Sequence, residues 1–169
     1  MLMLALRLIH IVFGALWVGM MAFTAVFLMP AIREAGPDGA KVMAALQRRG
    51  VMTVMPILAL ATLVSGMWLF ARLSGESPLG LLNSGMGLAF ALGGVTALVA
   101  FVLGVLVMRP AMVRAAALAD ARGSVETDQE RGARAAEIQR LRARSLAVGR
   151  VVTLLLIVAA AAMAIARYV

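Results

Sequence analysis

Residues 85–108 read GMGLAFALGGVTALVAFVLGVLVM, twenty-four positions without a charged side chain, and Arg109 and Pro110 follow directly. A helix needs about 20 apolar residues to cross the hydrocarbon core of a bilayer. Backbone groups in lipid must be hydrogen-bonded within their own segment, so a spanning stretch is a helix unless it alternates like a barrel strand. No such alternation is present here. Three further stretches, 4–29, 51–71 and 146–166, are similarly apolar, with Arg7 and Arg150 their only charged residues. The sequence therefore predicts an all-α integral membrane protein, a four-transmembrane-helix bundle forming one domain over 1–169.

Composition agrees. Hydrophobic residues make up 63% of the 169 and charged residues 14%, where a soluble domain carries about 25% charged residues. Cysteine is absent, so this chain supplies no disulfide, thiolate metal centre or iron–sulfur cluster. The net charge of +8 raises the question of nucleic acid, but the basic residues gather at span ends. Membrane orientation accounts for them, and no nucleic-acid partner is expected. The first 23 residues, MLMLALRLIHIVFGALWVGMMAF, hold a lone Arg7, and the apolar run continues to Leu28. A cleavable signal has a basic start and a shorter core, so this stretch reads as a retained first span.

Lys and Arg divide unequally between the two ends of the spans. The connection between spans 1 and 2 holds Arg33, Lys41, Arg48 and Arg49. The segment from span 3 into span 4 holds Arg109, Arg114, Arg122, Arg131, Arg134, Arg140, Arg142, Arg144 and Arg150. These thirteen face only Arg7, Arg72 and Arg167 at the other end. The positive-inside rule puts the thirteen in the cytoplasm, with Arg48, Arg49, Arg109 and Arg150 as the orienting residues at the span edges. The expected location is the bacterial inner membrane, crossed several times, with both termini periplasmic or exterior.

The first basic connection reads as a turn, Gly36-Pro37-Asp38-Gly39, followed by a short helix to Arg49. In the second, 111–122 is Ala-rich and helical, and Gly123 is placed to end it. Thr127 and Glu130 then have capping-box spacing, and Glu130 and Arg134 stand at i,i+4 on the helix that leads into span 4. A helical hairpin over 111–145 is predicted. It reads either as a solvated linker or as a docking arm for a cytoplasmic partner.

The two halves echo each other. Met29-Pro30-Ala31-Ile32-Arg33 closes span 1, and Met108-Arg109-Pro110-Ala111-Met112 closes span 3. Gly50-Val51-Met52-Thr53-Val54 opens span 2, Arg150-Val151-Val152-Thr153-Leu154 opens span 4, and Gly14 matches Gly94. A duplicated helical hairpin about an axis along the membrane normal is expected. Small residues let helices approach in lipid. Span 3 offers Ala89, Gly93, Ala97, Ala100 and Gly104, span 1 offers Gly14, Ala15, Gly19 and Ala22, and span 4 offers Ala159, Ala162 and Ala166.

Residues able to carry chemistry are few. His10, the only histidine, shares a helical stripe with Gly14, Trp17, Met21 and Thr24. A histidine within a span is a ligand candidate for haem or a metal, and near the interface it can instead reach water or head groups. Phe90 stands at the matching place in the second half, so a bis-His haem would need another subunit. Thirteen methionines raise copper, with Met20, Met21, Met52 and Met55 as candidates, although thioethers also serve as flexible packing. No span carries Asp or Glu, which disfavours proton-coupled transport. Pro56, near the start of span 2, is expected to kink it at most. No catalytic or metal-spaced set of residues is evident, so none is assigned and the chain is not expected to be an enzyme.

The stretch Leu6-Arg7-Leu8-Ile9-His10, with Leu16-Trp17-Val18-Gly19 after it and Pro30 closing the span, resembles the first helix of small bacterial membrane proteins. These are similar to the copper-resistance protein D group and to four-span families with an LHxxxxxxWxG start. The resemblance covers span 1 well, span 2 loosely and the second half by architecture alone. It implies haem b or copper at His10, but the second histidine such a site would use is lacking. A haem-pathway oxidase family also begins with His and Trp-x-Gly. Its proline and arginine follow the tryptophan more closely than Pro30 and Arg33 follow Trp17, so that activity is not carried over. Two functions are expected in turn. The first is a non-enzymatic accessory or assembly subunit without cofactor, packed against other membrane subunits of a larger complex, for which a respiratory or photosynthetic assembly is one candidate host. The alternative is a haem- or copper-handling protein that uses His10.

Overall fold

The computed structural model describes residues 1–75, 77–120 and 127–169. Arg122 and Gly123, the expected end of the Ala-rich helix, lie outside the described residues. Among the described residues eight α-helices follow in order: α1 Leu2–Phe23, α2 Met29–Glu34, α3 Pro37–Arg48, α4 Val51–Ser74, α5 Pro78–Leu82, α6 Gly85–Leu103, α7 Arg109–Asp120 and α8 Asp128–Ile165. No strand occurs among them. Continuous helix makes four rods long and apolar enough to cross a membrane: Leu2–Glu34, Val51–Ser74, Gly85–Asp120 and Asp128–Tyr168. The chain is a multi-pass membrane protein built as a four-helix bundle.

The rods contain 33, 24, 36 and 41 residues. At about 1.5 Å per residue the second rod, near 36 Å, roughly matches a hydrocarbon core of about 30 Å. The other three outrun it. They project as α2, α7 and the first half of α8, all at the arginine-rich end. Helix therefore continues well past the apolar stretches that mark the spans in the sequence. The first connection also differs from the expected turn. Pro37 opens α3 directly, and only Gly36, at φ 55°, turns the chain. Gly50, at φ 82°, joins α3 to α4 in the left-handed region that suits glycine.

Span 1 packs chiefly on span 2 and span 3 on span 4. Span 2 also touches span 3, and span 1 touches span 4, so the ring of four closes. The core is thin. Trp17 and Met21 come from span 1, Leu58 and Ala59 from span 2, Ala97 and Ala100 from span 3, and Val152, Leu156 and Ala159 from span 4. In lipid there is little hydrophobic reason for helices to associate, so close approach must supply dispersion contact. Gly93 shows this: a Cβ there would stand 2.9 Å from Met163 Cγ and 3.1 Å from the Ala159 carbonyl oxygen. At Gly14 it would meet Thr62 Cγ2 at 3.3 Å. Gly19 and Gly104 make no such approach, since a Cβ at either meets nothing within 4 Å. The inward face of span 1 is the stripe of Trp17 and Met21, and Ala15 and Gly19 lie exposed to one side of it.

The two halves share a backbone irregularity. Thr24–Leu28 and Gly104–Met108 are widened π turns, closed by Met29 N–H to Thr24 O and by Arg109 N–H to Gly104 O. Each lies just before a proline, Pro30 or Pro110. Proline lacks an N–H, and its ring collides with the carbonyl of residue i−4. Widening the preceding turn relieves that collision within a helix that must stay bonded in lipid. Both turns, both prolines and the Gly14/Gly94 pair are separated by the same interval along the chain. Pro56 is absorbed differently, inside an α4 that runs unbroken.

At the basic end α7 lies along α8, with Ala111, Ala115 and Leu141 buried between them. The capping box opens α8: Glu130 N–H donates to Thr127 Oγ1 at 3.3 Å, and Thr127 N–H donates to Glu130 Oε2 at 2.8 Å. The Thr127 backbone N–H, and after it the Thr127 hydroxyl, hold the Glu130 carboxyl below its ordinary range.

Two outcomes follow. Gly93→Val should destabilise the bundle by about 1–3 kcal/mol through overpacking. Gly94→Val, where a Cβ meets nothing within 4 Å, should change it much less, both read by unfolding titration in detergent. Because the Glu130 carboxyl is depressed in the folded chain, its cap stabilises α8 above the ordinary carboxylate range and is lost as pH falls through the lowered value. A nitroxide at Gln129 should gain mobility on acidification, and Glu130→Gln should remove that dependence.

Candidate functional site

His10 lies on span 1 opposite Thr62 and Gly66 of span 2. Its half-buried ring faces the bare backbone of Gly66, where a Cβ would stand 2.7 Å from His10 Cε1 and 3.0 Å from Nδ1. Only glycine leaves that space. His10 Nδ1 is 2.9 Å from the Thr62 carbonyl oxygen. A carbonyl can only accept, so Nδ1 carries the proton and donates. The same carbonyl accepts the Ser65 hydroxyl at 3.1 Å. Thr62 Oγ1 donates to the Leu58 carbonyl at 2.7 Å, and Ser65 Oγ to the Ala61 carbonyl at 2.6 Å. Every hydroxyl in this cluster is thereby satisfied inside an apolar span.

The arrangement leaves one nitrogen free. Nε2 has no hydrogen-bond partner among the described residues. It also retains some contact with the surroundings, since no buried side-chain nitrogen among them lacks a partner. An imidazole whose Nδ1–H is held by a backbone carbonyl has its tautomer and ring plane set, which is how ligating histidines are oriented. In that tautomer the lone pair of His10 lies on Nε2.

Three of the candidate methionines belong to the core instead. Met21 is buried with Trp17, and Met20 and Met55 pack against the same core. Eleven residues separate His10 from Met21, about 16 Å along a helix. Among the described residues no group of three His, Cys, Asp or Glu side chains is placed to hold a metal. The orienting residues Arg48, Arg49, Arg109 and Arg150 all lie exposed at the basic end.

Sequence reasoning found His10 and its stripe but missed its partners. Thr62, Ser65 and Gly66 were the available signal, a polar-polar-glycine set inside an otherwise apolar span. Comparison with family models, with curated proteins and with solved structures gave no match.

Long-range 15N spectra of neutral His10 should show the proton on Nδ1. Gly66→Ala should displace the ring and broaden or shift that signal, whereas Gly19→Ala, where nothing stands within 4 Å, should leave it unchanged.

Proposed function

We propose that this chain is a non-enzymatic accessory or assembly subunit of a larger membrane complex. In this reading it sits in the bacterial inner membrane with both termini periplasmic or exterior, and the α7–α8 arm reaches the cytoplasm. An energy-converting assembly, respiratory or photosynthetic, is one host compatible with this reading.

One observation carries the reading. α8 is a single helix of 38 residues that begins at the capped end of the arm and runs through the core to the far end of the bundle. α7 is packed along it through Ala111, Ala115 and Leu141. The arm is therefore a direct helical continuation of the bundle. A linker that merely joins spans 3 and 4 would need only a short turn, since antiparallel neighbours are joined by a few residues. A braced strut standing clear of the lipid suits a subunit that holds a cytoplasmic partner at a set distance from the membrane.

His10 supports a second reading. Its anchored Nδ1–H and free Nε2 suit one ligand to haem b or copper, with the remaining ligands coming from another chain.

Native mass spectrometry of membranes opened in mild detergent should find the chain in a stable larger assembly, unchanged by His10→Ala. A chain that always appears alone would remove the accessory reading. A Soret band or stoichiometric copper, present in the purified chain and lost in His10→Ala, would establish the second.

A further inference from the structure

The geometry points to a binding site for an anionic phospholipid headgroup in the cleft between α7 and α8. The cleft measures about 350 Å³ and is lined by Arg114 from α7 and by Glu137, Arg140, Leu141 and Arg144 from α8. Glu137 is shared between two guanidinium groups, 3.8 Å from Arg114 and 3.7 Å from Arg140. Both distances are long, and both arginines are largely exposed, so the pairs hold little energy. Arg144 makes no salt bridge among the described residues. One carboxylate against three guanidinium groups leaves the cleft strongly cationic. Leu141 gives it an apolar floor.

Position selects the source of the anion. Met108 ends the apolar stretch of span 3, and Ser145 Oγ meets its carbonyl at 3.4 Å. Gly149 faces Met108 as well, with the sulfur 3.6 Å from where a Cβ would be. The edge of the hydrocarbon therefore lies near 108 on one helix and 145–149 on the other. Arg144 lies at that edge, and Arg114 is six residues, about 9 Å, beyond Met108. The polar layer of a bilayer is about 5–7 Å deep on each side, and arginine side chains reach back several ångströms along their stems. The guanidinium groups thus converge at the depth of the lipid phosphates. Arginine forks match phosphate oxygens in pairs. A free soluble phosphate would gain the same contacts but nothing from Leu141 or from the adjoining hydrocarbon. This inference depends on the membrane placement of the bundle and not on the accessory reading.

The full chain, purified in mild detergent, is loaded with phosphatidylglycerol or phosphatidylcholine, and retained lipid is read by native mass spectrometry. Phosphatidylglycerol should be kept in preference. Arg114→Gln, Arg140→Gln and Arg144→Gln should each weaken its retention about fivefold, while Arg142→Gln, on α8 but outside the cleft, should leave it nearly unchanged. Inorganic phosphate at about 10 mM, which leaves charges unscreened over distances on the order of 20–30 Å, should not displace the lipid. Equal retention of the two lipids overturns the site. So does a loss in Arg142→Gln equal to that in Arg144→Gln, which would mean diffuse charge. Phosphate binding without lipid retention overturns the lipid as occupant.

Discussion

Lipid offers a backbone no hydrogen bonds, and the rest of this structure answers that constraint. Each proline inside a rod threatens to strand a carbonyl. At Pro30 and Pro110 the chain widens one turn before the ring instead of breaking, so the rods continue to Glu34 and to Asp120. The polar side chains buried in the spans follow the same rule. Thr62, Ser65 and Thr153 each donate to a carbonyl of their own helix. Thr153 also approaches the Met21 carbonyl of span 1 at 3.4 Å. That is a long contact for a hydroxyl, yet it falls beside the first widened turn.

Packing then works with small margins. Helices already in lipid gain little from burying apolar surface, so their association rests on how closely backbones approach. Spans 3 and 4 achieve this with Gly93 against Ala159 and with Ala97, Ala100 and Ala162 buried. Spans 1 and 2 use a mixed solution, Gly14 against Thr62 and the His10 ring against Gly66. The same glycine that admits the ring brings Nδ1 within reach of the Thr62 carbonyl, so packing and tautomer choice at His10 have one cause.

Much of this was legible in the sequence, for identifiable reasons. Long apolar runs set the number of rods, and the Thr127–Glu130 spacing specifies the cap that opens α8. The repeat of Pro30 and Pro110 foreshadows two equivalent halves, although nothing in the residues alone says that the response would be a widened turn. Small residues were a poorer guide. Gly93 and Ala97 face a neighbour, while Gly19 and Gly104 do not. A glycine in a membrane helix shows that close approach is allowed, and the rotation of the helix decides whether it is used. For span 1 that rotation is set by Trp17 and Met21, whose bulk fills the centre. The partners of His10 were hidden because they lie on another span, and a single sequence does not reveal which residues face each other.

The unbroken course of α8 ties the two ends of the molecule together. Its inner half supplies Val152, Leu156 and Ala159 to the core, and its outer half supplies Leu141 to the arm and Arg140 and Arg144 to the cleft. A helix cannot rotate one half without the other unless a turn yields. No proline interrupts α8, in contrast to the rods of spans 1, 2 and 3. The inner half of α8 packs on span 3, where a Cβ at Gly93 would stand 2.9 Å from Met163 Cγ. The widened turn at Gly104–Met108 lies where the rod of span 3 leaves the core for the arm. A helix without proline thus runs beside one with a built-in irregularity, and both lead from the core into the arm.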